Sequence, residues 1–292
     1  TWTFGLILYL SIGIAQDVHF SQFYRAPLHL NPALTGVFDC TSQFSANYRN
    51  QWSPALGTEA AFTTYSVSYQ NKYTAAQSDY WGIGLNALKD IEGTTNFSST
   101  QGKFSVSYSK YLGGRSWRGA HYLSFGADIA YVMRSIDFLQ ARYGIQNSNG
   151  IYNPDIPSGE DFDFNSFSYP DLAAGLLWYG QSKLGNGWYL GLAAHHLNRP
   201  DQSFDSDNSI RIYTRYTIHA GGEFILDPKW SILPSALYFE QGPSRQLNTG
   251  LSFKYYGSKR PGREKAWQYG LRTRFVNQYD WDEQQSGDLK LG

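Results

Sequence analysis

The stretch FTTYSVSYQ, residues 62–70, alternates between aromatic or β-branched side chains and small polar side chains. Because successive side chains of a strand point to opposite faces, Tyr65, Val67 and Tyr69 share one face and the residues between them share the other. The same alternation recurs in KFSVSYSKYL, residues 103–112. A period of two residues predicts β-strands that have one apolar face and one polar face.

From residue 41 onward we count about eleven such strands of roughly ten residues each. A tilted outer-membrane strand needs about nine to eleven residues, whereas strands of soluble proteins are often about five or six residues long. Charged side chains in mid-strand are tolerated against a wet lumen and costly against lipid. The charged or titratable residues on the polar faces are Asp128, His219, Glu223, Lys254, Arg272 and Arg274. The sequence therefore predicts an all-β protein, a transmembrane antiparallel outer-membrane β-barrel.

The predicted connections between these strands alternate in length. The short connections are 71–78, 113–119, 181–185 and 226–228, and the longer ones are near 90–101, 133–169 and 198–210. Short turns on one side and long loops on the other are typical of outer-membrane barrels, whose long loops lie outside the cell. The connections after the first and ninth strands are short and blur this pattern, so a soluble secreted β protein remains an alternative.

Composition excludes several functional classes. The 292 residues contain 24 Lys and Arg and 24 Asp and Glu, so no basic surface indicates nucleic-acid binding. The single Cys40 excludes an internal disulfide framework and a cysteine-based zinc site. No G-x-S-x-G motif occurs, and no Ser/His/Asp set can be assembled. We therefore predict a protein that is not an enzyme, although the many Ser and His residues leave an outer-membrane lipase or acyltransferase open.

The two ends of the chain have their own signals. Residues 4–14, FGLILYLSIGI, form an apolar run that is too short to span a bilayer. Small residues follow, so we expect residues 1–15 to be a signal peptide, truncated at its start, with the mature chain beginning at Gln16. The odd strand count and the polar last residues lead us to expect a barrel domain over residues 41–292 that is incomplete at its C-terminus.

Two motifs suggest cofactor or metal binding, and we set both aside. Residues 82–87 match G-x-G-x-x-A, but they lie within a strand rather than between a strand and a helix. His195 and His196 are adjacent on a predicted strand, so they should point to opposite faces and cannot bind one metal together. We expect one of these histidines in the lumen and the other at the membrane interface. The sequence thus predicts neither a metal nor a cofactor.

The longest predicted loop carries acidic and aromatic residues in alternation. Glu160, Asp161 and Asp163 lack the regular ligand spacing of a calcium loop, so we expect a solvated acidic loop. Exposed aromatic side chains normally have a use. We therefore take Phe162 and Phe164 as candidate partner-binding residues.

The stretch AQDVHFSQFYRAPLHLNPALTG, residues 15–36, follows neither a helical nor a strand period. Asn31-Pro32 disfavours a helix just before the proline, and Gly36 permits a turn, so the segment can fold back compactly. We predict that residues 16–40 form an N-terminal periplasmic or plug segment. Its candidate plug or partner-binding residues are Phe20, Phe23, Tyr24, Asn31 and Pro32.

Ordered stretches of this sequence resemble the PorP/SprF family of type IX secretion proteins. The stretches are residues 16–36, YRNQW at 48–52, TTYSVS at 63–68 and HLNRPDQSF at 196–204. The resemblance extends from residue 16 to about residue 276. It implies an outer-membrane β-barrel of the Bacteroidota, of fourteen strands when intact, which departs from the eleven strands visible here.

The resemblance also implies a function and partners. Members of the family work with type IX secretion components in the export or surface attachment of particular cargo proteins, including gliding adhesins. The runner-up is a general porin-like diffusion channel of the outer membrane. Arg199 and Asp201, in the stretch NRPD, either bind a partner or brace a loop, and we favour bracing because Asn, Asp and Pro are ordinary turn formers.

Overall fold

The fold is a single large antiparallel sheet of eleven strands that follow one another in chain order. A computed structural model describes residues 26–56, 61–75, 78–114, 119–141, 143–148, 151–153, 155–157, 164–182, 185–204, 209–258 and 265–277. The strands are β1 Ser42–Gln51, β2 Phe62–Thr74, β3 Tyr80–Glu92, β4 Phe97–Gly113, β5 Ala120–Ser135, β8 Ser166–Gln181, β9 Gly187–His195, β10 Arg215–Ile225, β11 Trp230–Gln241, β12 Ser244–Ser258 and β13 Lys265–Val276. This arrangement confirms the predicted all-β class and strand number.

In the part of the chain that the structure describes, helical structure is limited to single turns. They are α1 Pro27–Leu30, α2 Ser53–Leu56 and 3-10 turns at Pro32–Leu34, Phe138–Gln140 and Gly144–Gln146. Two short strands, β6 Asn147–Ser148 and β7 Ile151–Tyr152, pair only with each other. Among the described residues, no helix has the length and apolar character needed to cross a membrane.

The sheet is strongly curved but not closed, because β1 and β13 are its two edges. Residues of β3, β5, β9, β12 and β13 line one cavity, so strands far apart in the sheet face each other across its interior. The concave side is called the inner face below. The curvature brings residues far apart in the chain together on that face.

The inner face is polar and the outer face is apolar. Ser66 and Ser68 are buried on the inner face, whereas Tyr65 and Tyr69 on the outer face are 49% and 47% exposed. This confirms the predicted alternation, with the two environments reversed from those of a soluble protein. Large exposed outer side chains include Leu85, Phe104, Phe125, Ile129, Leu192, Ile218 and Phe253. Such a surface suits contact with lipid.

Aromatic side chains mark one end of the outer face in particular. Ring pairs there are Trp81–Tyr108 at 4.8 Å, Trp178–Trp188 at 4.2 Å and Trp230–Tyr255 at 4.9 Å between centroids. At the opposite end, Tyr48 and Tyr65 lie 5.3 Å apart. Aromatic girdles at both membrane interfaces are typical of outer-membrane barrels.

The connections lie at two ends of the sheet, which we call the turn side and the loop side. Strands β2, β4, β8, β10 and β12 end at the turn side, and β1, β3, β5, β9 and β11 end at the loop side. The connections described in full are 226–229 on the turn side, and 93–96 and 242–243 on the loop side. The prediction of a long loop near 90–101 is wrong. Because β3 and β4 pair as far as Glu92 and Phe97, only the turn Gly93–Asn96 remains, with φ of +68° at Gly93 and +49° at Asn96.

Candidate functional site

Residues 26–36, called the inner segment below, lie against the inner face of the sheet. Pro27 stands in the first turn of α1, and Pro32 begins the 3-10 turn, as expected for residues with a fixed φ and no N–H. The 3-10 turn contacts β4, β5, β8 and β9. Leu28 is 1% exposed, and Asn31 and Ala33 are fully buried. The segment therefore forms part of the protein interior.

Asn31 connects the inner segment to three strands. Its Nδ2 lies 3.1 Å from the carbonyl oxygens of Leu176 and Leu192 and 3.0 Å from Nε2 of His219. Its Oδ1 accepts a hydrogen bond of 2.8 Å from the N–H of Ala33. The N–H of Ala33 fixes which end of the amide is the oxygen, because a donor there requires an acceptor.

Three glycines form a depression under this turn, called the glycine depression below. Gly126 and Gly175 are directly opposite each other on β5 and β8. A Cβ added at Gly126 would lie 2.3 Å from the backbone nitrogen of Ala33, and one at Gly175 would lie 1.9 Å from Asn31 Oδ1. At Gly191 of β9 it would lie 2.1 Å from the ring of His219. A larger residue at any of these positions would collide with the inner segment or, at Gly191, first with His219.

The remainder of the inner segment is held through its backbone. Ser124 Oγ donates to the carbonyl of Ala33 at 2.8 Å, and Ser107 Oγ donates to that of Thr35 at 2.6 Å. The N–H of Gly36 donates to Gln70 Oε1 at 3.2 Å. Serine side chains of the inner face thus hydrogen-bond to the backbone of the inner segment.

Cationic and imidazole side chains lie at the last carbonyls of α1, which have no partners within the helix. Lys103 Nζ is 3.4 Å from the oxygen of Leu28, and Arg215 donates to the oxygen of His29 at 3.3 Å. His195 Nε2 is 3.3 Å from the oxygen of Leu30. These side chains reach the helix from the loop side.

Lys103 also forms a buried ion pair with Asp128. The distance from Nζ to the carboxylate is 3.2 Å, and the two side chains are 5% and 2% exposed. Asp128 is among the mid-strand charges that the sequence placed on the polar face. Its position agrees with that assignment, while its partner was not predicted.

The expectation that His195 and His196 face opposite sides is wrong. His195 is the last residue of β9, and His196 has a φ of +58°, so the strand alternation ends between them. Both side chains are buried, and His196 Nδ1 lies 3.0 Å from the carboxylate of Asp171. Within the described residues, no group of His, Cys, Asp and Glu has an arrangement that could hold a metal ion.

Cavities lie on both sides of the inner segment. The turn-side cavity has a volume of about 690 Å³, and its lining includes Leu34, Phe38, Tyr80, Tyr122, Tyr179, Tyr189, Glu223 and Arg272. The loop-side cavity is smaller, about 160 Å³, and its lining includes His29, Asp90, Glu92, Arg134, Asp171 and Arg215. The inner segment contributes residues to both linings and stands between the two spaces.

The NRPD stretch lies in the loop-side connection 196–214. Asp201 Oδ1 accepts hydrogen bonds of 3.0 Å from the N–H groups of Ser203 and Ile210. Hydrogen bonds from Ser209 and from Ser203 lower the pKa of Asp201. The side chain of Arg199 is exposed, and its backbone has a φ of +44°. The two residues that the sequence grouped together therefore have different surroundings.

An aromatic cluster joins the loop-side connections. Phe204 lies 4.7 Å from Phe167, 5.9 Å from Phe138 and 6.2 Å from Phe97, measured between ring centroids. Exposed apolar side chains on the loop side include Ile145, Phe164, Leu197, Ile210 and Tyr213. Phe164 is 50% exposed. The predicted site residues Phe20, Phe23, Tyr24 and Phe162 lie outside the described residues, as do the predicted signal peptide 1–15 and residues 160, 161 and 163.

The sequence does not predict the glycine depression, since Gly82 and Gly84 match only a cofactor motif and Gly126, Gly175 and Gly191 match none. A Cβ at Gly82 would lie 2.3 Å from the carbonyl oxygen of Thr35, so the absence of a side chain at this glycine also allows the inner segment to approach the sheet closely. An isolated glycine inside a strand often marks close approach of another backbone. That signal was present at Gly126, Gly175 and Gly191.

A comparison with protein families matches this chain to a known family. The matching family is described as type IX secretion system membrane protein PorP/SprF, and the match covers residues 12–278. No curated protein matches the chain.

Proposed function

The chain belongs to the PorP/SprF family of type IX secretion system membrane proteins, and on this premise we propose that it is a cargo-specific partner in type IX secretion. It acts in the export or surface attachment of a secreted or gliding-adhesin protein and performs no enzymatic reaction. Its partners are type IX secretion components and one surface cargo protein.

In this proposal the protein is a multi-pass β-barrel of the outer membrane. The apolar outer face and the aromatic rings near its two ends support this location, because both are expected of strands that cross a bilayer. The two-sided distribution of connections supports an orientation with the loop side outside the cell.

Cargo recognition is assigned to the loop side. Phe164, Ile210 and Tyr213 expose 50%, 55% and 48% of their area there, and exposed apolar groups in such a position suit a protein partner. Phe162 belongs to the same proposed surface. Arg199 is exposed and is proposed to contact the partner, whereas Asp201 is proposed to brace the connection through its two backbone hydrogen bonds.

The choice between a cargo partner and a diffusion channel rests on one observation. The inner segment occupies the middle of the inner face, with Asn31 and Ala33 fully buried. A general diffusion channel requires an open lumen, so this packing favours the partner role. We propose that residues 16–40 act as a plug, with Asn31 and Pro32 in contact with the sheet and Phe20, Phe23 and Tyr24 extending the same role or docking a periplasmic component.

The proposal is tested by tagging the full-length protein in its native host and identifying what co-purifies from outer membranes. Recovery of one large surface protein or of type IX components supports the partner role. A clean barrel with nothing attached after gentle detergent extraction and crosslinking, together with high conductance in planar bilayers, would move the assignment to the porin-like channel.

Matched variants test whether cargo binds to the loop side. Phe164→Ser combined with Ile210→Ser should abolish cargo recovery, because both substitutions remove exposed apolar area on the loop side. Leu226→Ser is the control, since Leu226 is 62% exposed but lies on the turn side. Equal recovery of cargo with both proteins would remove the loop-side assignment.

A further inference from the structure

We propose that the glycine depression is a peptide-binding site specific for an Asn-Pro turn, which the inner segment occupies as a tethered and exchangeable ligand. This inference rests on the proposed plug role and adds to it a recognition site with a defined ligand class. The site consists of Gly126, Gly175 and Gly191, the carbonyl oxygens of Leu176 and Leu192, and His219.

The shape of the site selects a backbone rather than a large side chain. At Gly126 the nearest atoms of the inner segment are the nitrogen of Ala33 and the carbonyl carbon of Pro32, both 2.3 Å from an added Cβ. The peptide bond between Pro32 and Ala33 therefore sits where a side chain of the sheet would otherwise lie. Such close approach is possible only where the sheet has no Cβ.

The chemistry of the site selects asparagine at the position before the proline. The Asn31 amide presents hydrogen-bond donors to two carbonyl oxygens and an acceptor to the N–H of Ala33. Aspartate would place a carboxylate oxygen against the oxygens of Leu176 and Leu192, where no donor is available from the ligand. Alanine would leave buried acceptors without the donor that reaches them, which is costly in a dry interior.

The surroundings of the site suit a ligand that leaves and returns. The apolar residues that the segment buries are mostly small: Ala26, Pro32 and Ala33 are buried beside the larger Leu28, and Leu30 packs against Leu237 and Phe239. Most other contacts join polar side chains of the sheet to the backbone of the segment. Water can replace contacts of this kind, whereas it cannot replace an apolar core.

Buried polar atoms of the inner face support the same conclusion. Ser105 Oγ and Asn86 Oδ1 are buried and have no hydrogen-bond partner among the described residues. Each unmade hydrogen bond disfavours the dry state, and water would satisfy both atoms once the segment leaves. A face with this composition is stable when wet, so departure of the inner segment does not require unfolding of the sheet.

The consequence of exchange is a change in the interior of the protein. With the inner segment in place, the turn-side and loop-side cavities are separate spaces. With the segment displaced, the two cavities join across a polar surface. Binding of the Asn-Pro turn is therefore the closed state, and a bound or unbound turn should be visible as ion conductance.

The experiment measures conductance of the full-length protein in planar bilayers, before and after adding a synthetic peptide with the sequence of residues 26–38. The protein variant Asn31→Ala should show open events that the unmodified protein lacks. The peptide should block these events, and the same peptide with Asn31→Asp should need at least a roughly tenfold higher concentration, since loss of one or two buried hydrogen bonds is worth about that factor.

Glycine variants show whether the block occurs at the proposed site. Gly126→Val should conduct and resist block by either peptide, because its side chain fills the depression. Gly102→Val is the matched control, since a Cβ at Gly102 meets no atom within 4 Å and the residue faces outward on β4. The Gly102→Val protein should remain closed and show no added conductance. If Gly126→Val fails to fold, as judged by the mobility of unboiled samples, the smaller change Gly175→Ala provides the same test.

The possible results separate the two proposals. If neither Asn31→Ala nor the folded glycine variant conducts more than the unmodified protein, the plug role fails, and this inference fails with it. If they conduct but both peptides block equally well, or the peptide also blocks Gly126→Val, the recognition site is overturned while the plug role stands.

Discussion

At the scale of single residues, the buried charges of the inner face have the largest expected effects on stability. Lys103 and Asp128 compensate each other's charge, and their side chains are only 5% and 2% exposed. Removing one partner of such a pair leaves an uncompensated buried charge, whereas replacing both by apolar residues is often tolerated. Lys103 also reaches the carbonyl of Leu28, so the pair connects the sheet to the inner segment.

We predict that Lys103→Met lowers the free energy of unfolding by about 3–5 kcal/mol. The double variant Lys103→Met with Asp128→Leu should recover most of that loss, because no buried charge remains. Denaturant unfolding in detergent micelles measures both values. Equal losses in the single and double variants would show that the pair is not the reason for the effect.

The surroundings of Asp79, at the turn side, predict that the stability of the protein depends on pH. Hydrogen bonds from Lys110, from the hydroxyl of Tyr108 and from the N–H of Tyr111 lower the pKa of Asp79 to about 2 from its ordinary value of 3.8. A lowered pKa in the folded state stabilises the protein above the ordinary value, and this stabilisation is lost as the pH falls toward 2. The contacts therefore hold at neutral pH and fail in acid.

The corresponding test compares the unmodified protein with Asp79→Asn. The unmodified protein should have the higher denaturation midpoint at pH 6, and the difference should shrink between pH 4 and pH 2 as the carboxylate becomes protonated. Unfolding curves collected across this range give the result. A difference that is independent of pH would mean that the carboxylate charge is not what stabilises this turn.

At the scale of the strand, the decisive property is the opposite character of the two faces. On β3 the inner positions carry Gly82, Gly84 and Asn86, and the outer positions carry Ile83 and Leu85. Each strand therefore has to fit lipid on one side and the inner segment on the other. A change of one residue in register would exchange the two environments along the whole strand.

We predict that a charge on the outer face strongly destabilises the folded protein in the middle of a strand and has little effect at the end of a strand. Leu85→Arg should reduce the free energy of folding into lipid vesicles by about 2–4 kcal/mol, whereas Tyr73→Arg, near the turn-side end of β2, should cost about 0–1 kcal/mol. Both positions are exposed on the outer face. Similar costs for the two variants would argue against a membrane-spanning sheet.

At the scale of the whole molecule, the reversed distribution of polar and apolar residues separates a membrane protein from a soluble secreted one. Buried residues include many serines, whereas exposed residues include most of the large aromatic groups of the strands. A soluble sheet protein would expose the serines and bury the aromatics. The family match gives the same assignment independently.

We predict that the full-length protein fractionates with outer membranes and migrates differently in gel electrophoresis before and after boiling. Folded outer-membrane barrels resist detergent because their backbone hydrogen bonds are all made between strands. Recovery in the soluble periplasmic or secreted fraction, with mobility unaffected by boiling, would favour the soluble secreted β protein over the barrel.

Local patterns in the sequence determined the strands and their two faces. The alternation at residues 62–70 is set by neighbouring side chains along one strand, so it can be identified without knowing the partners of that strand. The charge of the inner face could be predicted for Asp128 and Glu223 for the same reason. The length of the connection 93–96 could not, because it depends on how far β3 and β4 continue to pair.

Only the tertiary structure decided how the interior is filled. Asn31 bonds to residues 145, 161 and 188 positions away in the chain, and these meet only because the sheet curves around the inner segment. The same curvature brings Gly126 and Gly175 under one turn and places Lys103 at the end of α1. Alternation along a strand is a local property of the sequence, whereas the contents of a curved sheet depend on contacts between distant residues, which no local pattern specifies.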